Sequence, residues 1–345
     1  MPDPDEVDGA VPDDQVAPEP TGPAPDDLSA AEPPPEEPGP ARADVGLADG
    51  TVPWRALMAE AADALVAAGL LSADVDARRI VEEASGHEGA ALHAHLDDPA
   101  TVNGVAALDR MVERRRDGEP LQYVLGRWGF RTLDLMVDAR VLIPRPETEG
   151  LVDHVHRELE RINGQGGQDP LVVLDLGCGS GAIGLAVAAE RRDVEVHAVD
   201  RDPEAVAVTR ANLAGLGVAG ASVAVHEGSW FAPLPADLAG RVAAVVANPP
   251  YVAASDELPT EVGGWEPAGA LVSGATGLEA IAEILADAPT WLVPGGAVVI
   301  EIGETQGPAA RDRAEAAGLI EAEVRTDLLG RDRVLVARSP ARPSE

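Results

Sequence analysis

The sequence predicts an α/β protein in which a small helical domain precedes a doubly wound, mostly parallel sheet with an antiparallel last strand. From residue 171 onward, continuous apolar runs of strand length alternate with helical stretches, as expected for parallel strands covered on both faces. Residues 319–339 break this alternation, because two strand-like runs flank a short polar turn and so favour an antiparallel pair. Residues 51–118 repeat apolar side chains at helical spacing, which favours a separate helical bundle.

The first 50 residues differ in composition from the rest of the chain. They contain 12 prolines, 14 acidic residues and no aromatic residue, so they lack the apolar surface that would offset the entropy of ordering. We therefore expect residues 1–50 to form a disordered acidic tail, and we assign it no function. The remaining residues still hold 46 acidic against 25 basic side chains, which disfavours broad contact with a nucleic-acid backbone.

Cysteine usage and hydropathy exclude several classes of protein. Cys178 is the only cysteine, so the sequence predicts neither a disulfide framework nor a cysteine-rich metal site. The chain begins with acidic residues and prolines rather than a basic and then apolar leader, and no run approaches about 20 uninterrupted apolar residues. We expect a cytoplasmic protein that does not enter a membrane.

The chain divides into four segments by pattern. After the tail, residues 51–118 form the predicted helical domain, and residues 119–146 form a connector in which glycines and alternating apolar side chains suggest a β-hairpin. Residues 147–340 form the predicted sheet domain, which opens with a helix at about 148–162. Its expected strands are 171–177, 194–200, 221–228, 241–248 and 296–303. Its further expected helices are 182–191, 203–215 and 277–292.

A glycine-rich turn, LDLGCGSG at residues 174–181, joins the first strand of the sheet domain to its helix. Gly177, Gly179 and Gly181 let the backbone turn tightly and approach a ligand, and the helix behind them offers free N–H groups. Asp200 ends the next strand, where a carboxylate can accept hydrogen bonds from both hydroxyls of a ribose. These features predict a nucleoside cofactor.

Two cofactors fit this turn. Gly179, Gly181 and Gly184 satisfy the spacing G-x-G-x-x-G of dinucleotide sites, which leaves an NAD-dependent oxidoreductase as an alternative. Glycines that start immediately after LDLG are instead typical of enzymes that use S-adenosylmethionine (SAM), so SAM is the expected cofactor. Its expected binding residues are Gly177, Cys178, Gly179, Ser180, Gly181, Asp200, Trp230 and Asn248.

Two side chains near this turn have more than one interpretation. Cys178 lies inside the turn, but no histidine is beside it in sequence, so we expect it to line the cofactor rather than to act as a nucleophile. Trp230 follows the third strand of the sheet domain. We expect its ring to stack on adenine, and a place in the hydrophobic core is the alternative.

The motif NPPY at residues 248–251 follows an apolar run of strand length. A strand can end without this combination of an asparagine, two prolines and a tyrosine, so the motif calls for a further explanation. Asn248 supplies an amide oxygen and Pro249 a peptide carbonyl, and both accept hydrogen bonds. The two prolines fix the backbone so that the two acceptors keep one geometry, and Tyr251 offers a flat face to a planar group. If this strand lies beside the first one, at the switch point of the sheet, Asn248 emerges next to the cofactor.

This set of groups suits the methylation of a planar –NH₂ group. The lone pair of such a nitrogen is delocalised, so the nitrogen is a weak nucleophile. Two acceptors that hold both N–H bonds aim the nitrogen at the methyl donor and favour its pyramidalisation. We therefore predict Asn248, Pro249 and Tyr251 as catalytic residues, and Asn248, Pro249, Pro250 and Tyr251 as the substrate-binding residues.

Four separated stretches of sequence give the chain a family resemblance. In order, they are EPLQYVLGRWGF, LIPRPETEGLV, DLGCGSG followed by NPPY, and EPAGALVSGATGLEAI. Over residues 52–338 they closely resemble the protein-(glutamine-N5) methyltransferases of peptide chain release factors, the PrmC/HemK group. The resemblance implies a Rossmann-like, class I SAM-dependent methyltransferase domain and a helical domain that helps to dock the substrate. It implies methylation of the glutamine in the Gly-Gly-Gln motif of class 1 release factors.

The resemblance also implies roles for individual residues. It places SAM at Gly177 through Gly181 and at Asp200, adenine near Trp230, and the glutamine amide at the NPPY motif. Thr148 and Glu149 are expected near the methionine end of the cofactor.

Two further implications concern the substrate side and the adenine contact. Glu266 and Pro267 are expected to shape the substrate side, with a purely structural loop as the alternative. Ser229 departs from the family pattern, which often has an acid before the tryptophan. One contact to the adenine amino group is therefore expected to be weaker or replaced.

The sequence leaves other functions open. A nucleic-acid adenine-N6 methyltransferase uses the same motif on a flipped base, but it should carry a basic groove and a target-reading domain, and the acidic composition disfavours both. A SAM-binding adaptor without activity is another alternative, which the intact NPPY motif disfavours. Release factors are thus the expected partners, with no direct contact to nucleic acid.

Overall fold

The structure, a computed structural model, describes residues 51–164, 170–256, 263–327 and 329–341. The predicted acidic tail, residues 1–50, lies outside the described residues. Among the described residues, none of the helices has the length and hydropathy that a membrane span requires.

The N-terminal domain is a bundle with a core of its own. Its helices are α1 (Trp54–Ala67), α2 (Ala73–Ser85), α3 (Ala90–His95) and α4 (Val102–Arg116). Leu57, Ile80 and Leu108, from three different helices, join one buried cluster, as the helical spacing of apolar residues predicts. Arg115 on α4 donates a 2.7 Å hydrogen bond to Asp76 on α2, and this largely buried ion pair ties the two helices together.

The connector at 119–146 differs in part from the sequence prediction. Its elements are α5 (Leu121–Leu125), β1 (Arg127–Phe130) and β2 (Leu133–Met136). The two strands pair as an antiparallel hairpin, but they cover only the middle of the predicted segment. The five-residue helix before them starts after Pro120 and ends at Gly126, which is left-handed. So short a helix gives too few positions to display a helical period, and residues 137–145 contain no strand.

A seven-stranded mixed sheet forms the centre of the larger domain. Its strands are β3 (Leu171–Leu176), β4 (Val194–Asp200), β5 (Val223–Glu227), β6 (Val242–Ala247), β7 (Leu292–Glu301), β8 (Ile320–Thr326) and β9 (Asp332–Arg338). They lie in the order β5-β4-β3-β6-β7-β9-β8. The first five pair in parallel, whereas β9 is antiparallel to both β7 and β8. The predicted doubly wound sheet with an antiparallel last strand is confirmed.

Helices cover the sheet on both faces. They are α6 (Glu149–Asn163), α7 (Ala182–Glu190), α8 (Pro203–Gly215), α9 (Glu279–Trp291) and α10 (Gly307–Ala316). Successive side chains of β3 enter opposite cores: Val173 joins the cluster under α6 and α7, and Leu174 joins the cluster under α9 and α10. Burial on both faces explains why the strands read as continuous apolar runs.

The register of the sheet aligns the carboxyl ends of its central strands. Leu176 of β3 pairs with Ala247 of β6, and Ala247 in turn pairs with Ile300 of β7. Chain connections run in opposite directions from β3 and β6, so the sheet has its switch point between these two strands. The expectation that the strand before NPPY lies beside the first strand is therefore met.

Close packing of α7 on the sheet depends on Gly184. Its N–H donates to Asp175 Oδ2 at 2.8 Å, and an added Cβ would lie 2.8 Å from that oxygen and 3.2 Å from Val196 Cγ1. Gly184→Ala should lower the free energy of unfolding by about 1–2 kcal/mol, because overpacking outweighs the better helix propensity of alanine. Urea unfolding measures the change.

Gly150 on α6 provides the matched control. A Cβ at Gly150 would meet no atom within 4 Å, so Gly150→Ala should be neutral or stabilise by up to about 1 kcal/mol. Equal urea midpoints for the two variants would contradict the packing argument.

Candidate active site

A cavity of about 460 Å³ opens at the carboxyl edge of the sheet. Its volume lies in the range of about 300–1,000 Å³ that is usual for small-molecule sites, and its position at the switch point is where such sheets bind ligands. The predicted site residues that line it are Gly177, Cys178, Gly179, Ser180, Asp200, Trp230, Asn248 and Pro250.

The glycine turn is fastened to α8. The Thr209 hydroxyl donates to the Gly179 carbonyl at 2.7 Å, and the Asn212 side chain donates to the Ser180 carbonyl at 2.8 Å. Asn212 also exchanges two hydrogen bonds with the backbone of Met136 in β2. Protein contacts alone therefore fix the backbone of the turn.

Gly181 is the N-cap of α7 and is not among the residues that line the cavity. Its φ is +83°, and an added Cβ would lie 2.9 Å from Leu185 and 3.0 Å from Thr209. Only glycine combines this conformation with this close approach. Gly181 therefore shapes the turn without lining the cavity.

Asp200 accepts hydrogen bonds from the backbone with both carboxylate oxygens. The Gly179 N–H donates to Oδ2 at 2.9 Å and the Asp202 N–H donates to Oδ1 at 3.0 Å. Burial raises the pKa of Asp200, although these two N–H groups oppose the rise. Each oxygen keeps a further lone pair, so the side chain can still accept hydrogen bonds from a ligand diol.

Cys178 is buried in the wall of the cavity. Burial raises the pKa of its thiol well above the usual range, so the thiol stays protonated. A neutral buried thiol is a poor nucleophile. The structure thus gives Cys178 the place of a small lining side chain.

Trp230 lies against the glycine turn. It has a φ of +47°, a left-handed conformation that is costly for a bulky residue and often marks a functional position. Its ring carbons come within 3.5 Å of where a Cβ of Gly177 would be, and its indole N–H donates to Glu283 on α9 at 2.7 Å. The ring lines the cavity and also packs against the core, so stacking on adenine stays a prediction.

Asn248 is hydrogen-bonded to Thr148, which lies far away in sequence and is in turn bonded to Glu301. Its Nδ2 donates to Thr148 Oγ1 at 3.2 Å, and the Thr148 hydroxyl donates to Glu301 Oε2 at 2.7 Å. Thr148 and Glu301 are buried, whereas Asn248 is partly exposed to the cavity. Burial raises the pKa of Glu301.

The other NPPY residues occupy different positions. Pro250 lines the cavity, but Pro249 and Tyr251 are not among its lining residues. The Tyr251 hydroxyl donates to Glu301 Oε1 at 3.4 Å, and the Gln306 side chain donates to the Tyr251 carbonyl at 2.9 Å. Burial, followed by the charge of Glu301, raises the pKa of Tyr251 to about 12, so its phenol is neutral near pH 7.

Thr148 and Glu149, the two residues of the RPETE stretch that were expected near the methionine end of the cofactor, occupy different positions. Thr148 lines the cavity, as described above. Glu149 instead accepts a 3.0 Å hydrogen bond from the backbone N–H of Arg131, in the hairpin. The carboxylate of Glu149 therefore stabilises the hairpin of the connector.

Glu266 and Pro267 have different positions as well. Glu266 is buried, forms an ion pair with Arg145 and accepts a 3.1 Å hydrogen bond from the Ile143 N–H. Pro267 lines the cavity. Glu266 thus fastens the segment after NPPY to the end of the connector, and Pro267 forms part of the wall.

Glu301 and Glu283 hold residues of the site through hydrogen bonds, and neither was singled out from the sequence. Glu301 ends the apolar run of β7 in the same way as Asp200 ends β4, so a search for polar residues at strand ends would have found it. Glu283 has no such signal, because its bond to Trp230 depends on how α9 packs.

Comparisons with known proteins agree with this geometry. A model of the PrmC N-terminal domain matches residues 56–126, and one of the methyltransferase small domain matches residues 159–262. The release factor glutamine methyltransferase of Xylella fastidiosa is 39% identical over 267 residues, which cover 77% of this chain and 93% of that protein. That of Escherichia coli is 34% identical over 264 residues, which cover 76% and 91%. The chain belongs to the release factor glutamine methyltransferase family.

Membership of the release factor glutamine methyltransferase family fits the fold and the cavity. The chain has the class I methyltransferase fold, with antiparallel final strands and an N-terminal helical domain. SAM is the methyl donor, and the NAD-dependent oxidoreductase that the glycine spacing left open is excluded. The fixed glycine turn, Asp200 and the half-buried Trp230 ring line a cavity that suits a nucleoside.

Asp175 lies beneath the glycine turn, in β3, and is fully buried. One of its oxygens accepts the Gly184 N–H, and the other has no hydrogen-bond partner among the described residues. Burial raises the pKa of Asp175 to about 7, whereas an unfolded aspartate titrates near 3.9. Its contribution to stability is therefore complete below about pH 4 and lost as the pH rises through 7.

Asp175→Asn removes this titration and places an amide nitrogen where the unpaired oxygen lies. The variant should gain stability relative to the wild type as the pH rises from 5 to 8, by at least about 1.4 kcal/mol, the equivalent of one pKa unit. Urea midpoints at the two pH values measure the difference. A stability difference that does not change with pH would mean that Asp175 is ionised throughout.

Proposed function

We propose that the cavity binds SAM and a glutamine side chain next to each other, and that the NPPY motif holds the glutamine nitrogen for methylation. The pairing of β3 with β6 carries this proposal, because it brings the glycine turn and Asn248 into one cavity. The protein methylates the glutamine of peptide chain release factors. We assign the acceptor as N5 of the glutamine in the Gly-Gly-Gln motif of class 1 release factors.

The cofactor side of the proposal rests on the ends of β3 and β4. When bound, SAM supplies an electrophilic methyl group on a positively charged sulfonium. Asp200 accepts the hydroxyls of the ribose, and Trp230 supports the adenine. Gly179 leaves room for the nucleoside, since a Cβ there would point into open space, whereas a Cβ at Gly177 would contact the Trp230 ring. The carboxylates at this edge of the sheet favour a cation.

The substrate side rests on the NPPY motif. Asn248 Oδ1 and the Pro249 carbonyl accept the two N–H bonds of the glutamine amide, which orients the nitrogen and favours the pyramidal geometry of the transition state. Pro250 forms the adjoining wall, and Tyr251 supports the motif through Glu301. The nitrogen loses its proton after methyl transfer, so no strong base is required.

The helical domain at 51–118 is proposed to dock the release factor. It has its own buried core and reaches the sheet domain through the connector. Such a separate unit can present a surface to a protein partner without disturbing the cavity.

Peptide mass spectrometry tests the function directly. A purified class 1 release factor is incubated with the protein and SAM, and its peptides are then sequenced. One added methyl group on the Gly-Gly-Gln glutamine is expected. Protein that binds SAM but leaves this glutamine unmodified would overturn the substrate assignment.

Two alanine variants separate the two halves of the site. Asn248→Ala should lower kcat by at least about 100-fold, the scale of a lost transition-state hydrogen bond, and leave the Kd for SAM within about twofold. Asp200→Ala should raise the Kd for SAM by about 5- to 150-fold, equivalent to about 1–3 kcal/mol. Calorimetry and methyl-transfer rates measure both effects. Equal loss of SAM binding in Asn248→Ala would refute its assignment to the substrate.

A further inference from the structure

Asn248 can accept a hydrogen bond from the glutamine amide only if its own amide oxygen, rather than its amide nitrogen, faces the substrate. A carboxamide has an acceptor on one side and two donors on the other, and the two sides have nearly the same shape. If it were rotated by 180°, Asn248 would direct N–H groups at the N–H groups of the glutamine amide. Something in the protein must therefore select one of the two orientations.

The hydrogen bonds behind Asn248 make this selection. Thr148 has a single hydroxyl hydrogen, and an ionised carboxylate can only accept hydrogen bonds. When Glu301 is ionised, its Oε2, 2.7 Å from the Thr148 hydroxyl oxygen, accepts that hydrogen. The Thr148 oxygen can then only accept from Asn248, so the atom at 3.2 Å from it is the nitrogen. The oxygen of the amide is left for the cavity.

The surroundings of Glu301 supply both charge and hydrogen bonds. Thr148, from the segment before α6, and Tyr251, from the segment after β6, donate to its two oxygens. Burial raises the pKa of Glu301, and the charge of Glu147 acts in the same direction, whereas the two hydrogen bonds and the charge of Arg333 on β9 favour the carboxylate. Glu301 is only 2% exposed, so water does not compete for these bonds.

We infer that Thr148 and Glu301 are positioning residues that hold the Asn248 amide with Oδ1 toward the glutamine. This inference rests on the proposed role of Asn248. It also gives the site a dependence on pH. A protonated Glu301 can donate to Thr148, the Thr148 hydrogen then turns to Asn248, and the amide must rotate to accept it. Protonation of one buried carboxyl group thus withdraws the acceptor from the substrate.

Variants of Thr148 test the relay. Thr148→Val keeps the shape and removes the hydroxyl, so kcat at saturating SAM and release factor should fall by at least tenfold, with little change in the Kd for SAM. Thr148→Ser restores the hydroxyl and should recover most of the lost rate. In an Asn248→Ala background, Thr148→Val should cause no further loss, because Thr148 acts only through Asn248.

Variants of Glu301 test the pH dependence. This test can be made even if the Thr148→Val variant does not fold. The kcat of the wild type should decline as the pH falls through the pKa of Glu301, since the carboxylate is the active form. Glu301→Gln cannot titrate, so its kcat should lack this acidic decline. The same acidic decline in Glu301→Gln as in the wild type would overturn the inference.

Two further outcomes distinguish this inference from the proposed function. If Asn248→Ala is inactive but Thr148→Val keeps the wild-type rate, the relay is refuted and the function stands. If Asn248→Ala itself retains the wild-type rate, the proposed role of Asn248 fails, and the relay fails with it. A loss in Thr148→Val that persists in full in the Asn248→Ala background would indicate a structural role alone.

Discussion

Leu176 of β3 lies opposite Ala247 of β6, and this register places Gly177 and Asn248 side by side where both strands leave the sheet. Gly177 of the cofactor turn and Asn248 of the substrate motif are 71 positions apart in the chain and share no local structure. Because side chains alternate between faces along a strand, a shift of one residue would turn Asn248 away from Thr148. The geometry of the cavity therefore depends on the pairing of two buried strands.

Much of the fold could be predicted because strands that are buried on both faces appear in the sequence as continuous apolar runs. Boundaries were less predictable. The strand expected at 296–303 is β7, which runs from Leu292 to Glu301 and includes Pro294. A proline normally argues against a central strand, but a register shift between β6 and β7 accommodates it here. Such an irregularity is set by packing between strands, and no local pattern of residues reveals it.

The candidate site was predictable to the extent that its residues end strands or belong to glycine and proline motifs. Asp200 and Asn248 were found in this way, and both line the cavity. The partners that orient them were harder to find. Thr148 was expected near the cofactor, yet its hydroxyl also bridges Asn248 and Glu301, and Glu283 holds Trp230 through a contact between distant segments. Side-chain pairs of this kind arise from tertiary packing and have no sequence period.

The relay through Thr148 joins residues that are 100 and 153 positions apart in sequence. Contacts of such high sequence separation are entropically costly to form, because long loops must close before they are made. Glu301 is also synthesised after every other member of the relay. A nascent or truncated chain that ends before β7 can contain the complete glycine turn and still lack an oriented Asn248. If the relay acts as we infer, the full rate of methyl transfer requires β7 to be in place, and recovery of this rate on refolding reports on the assembly of β7 with the rest of the site.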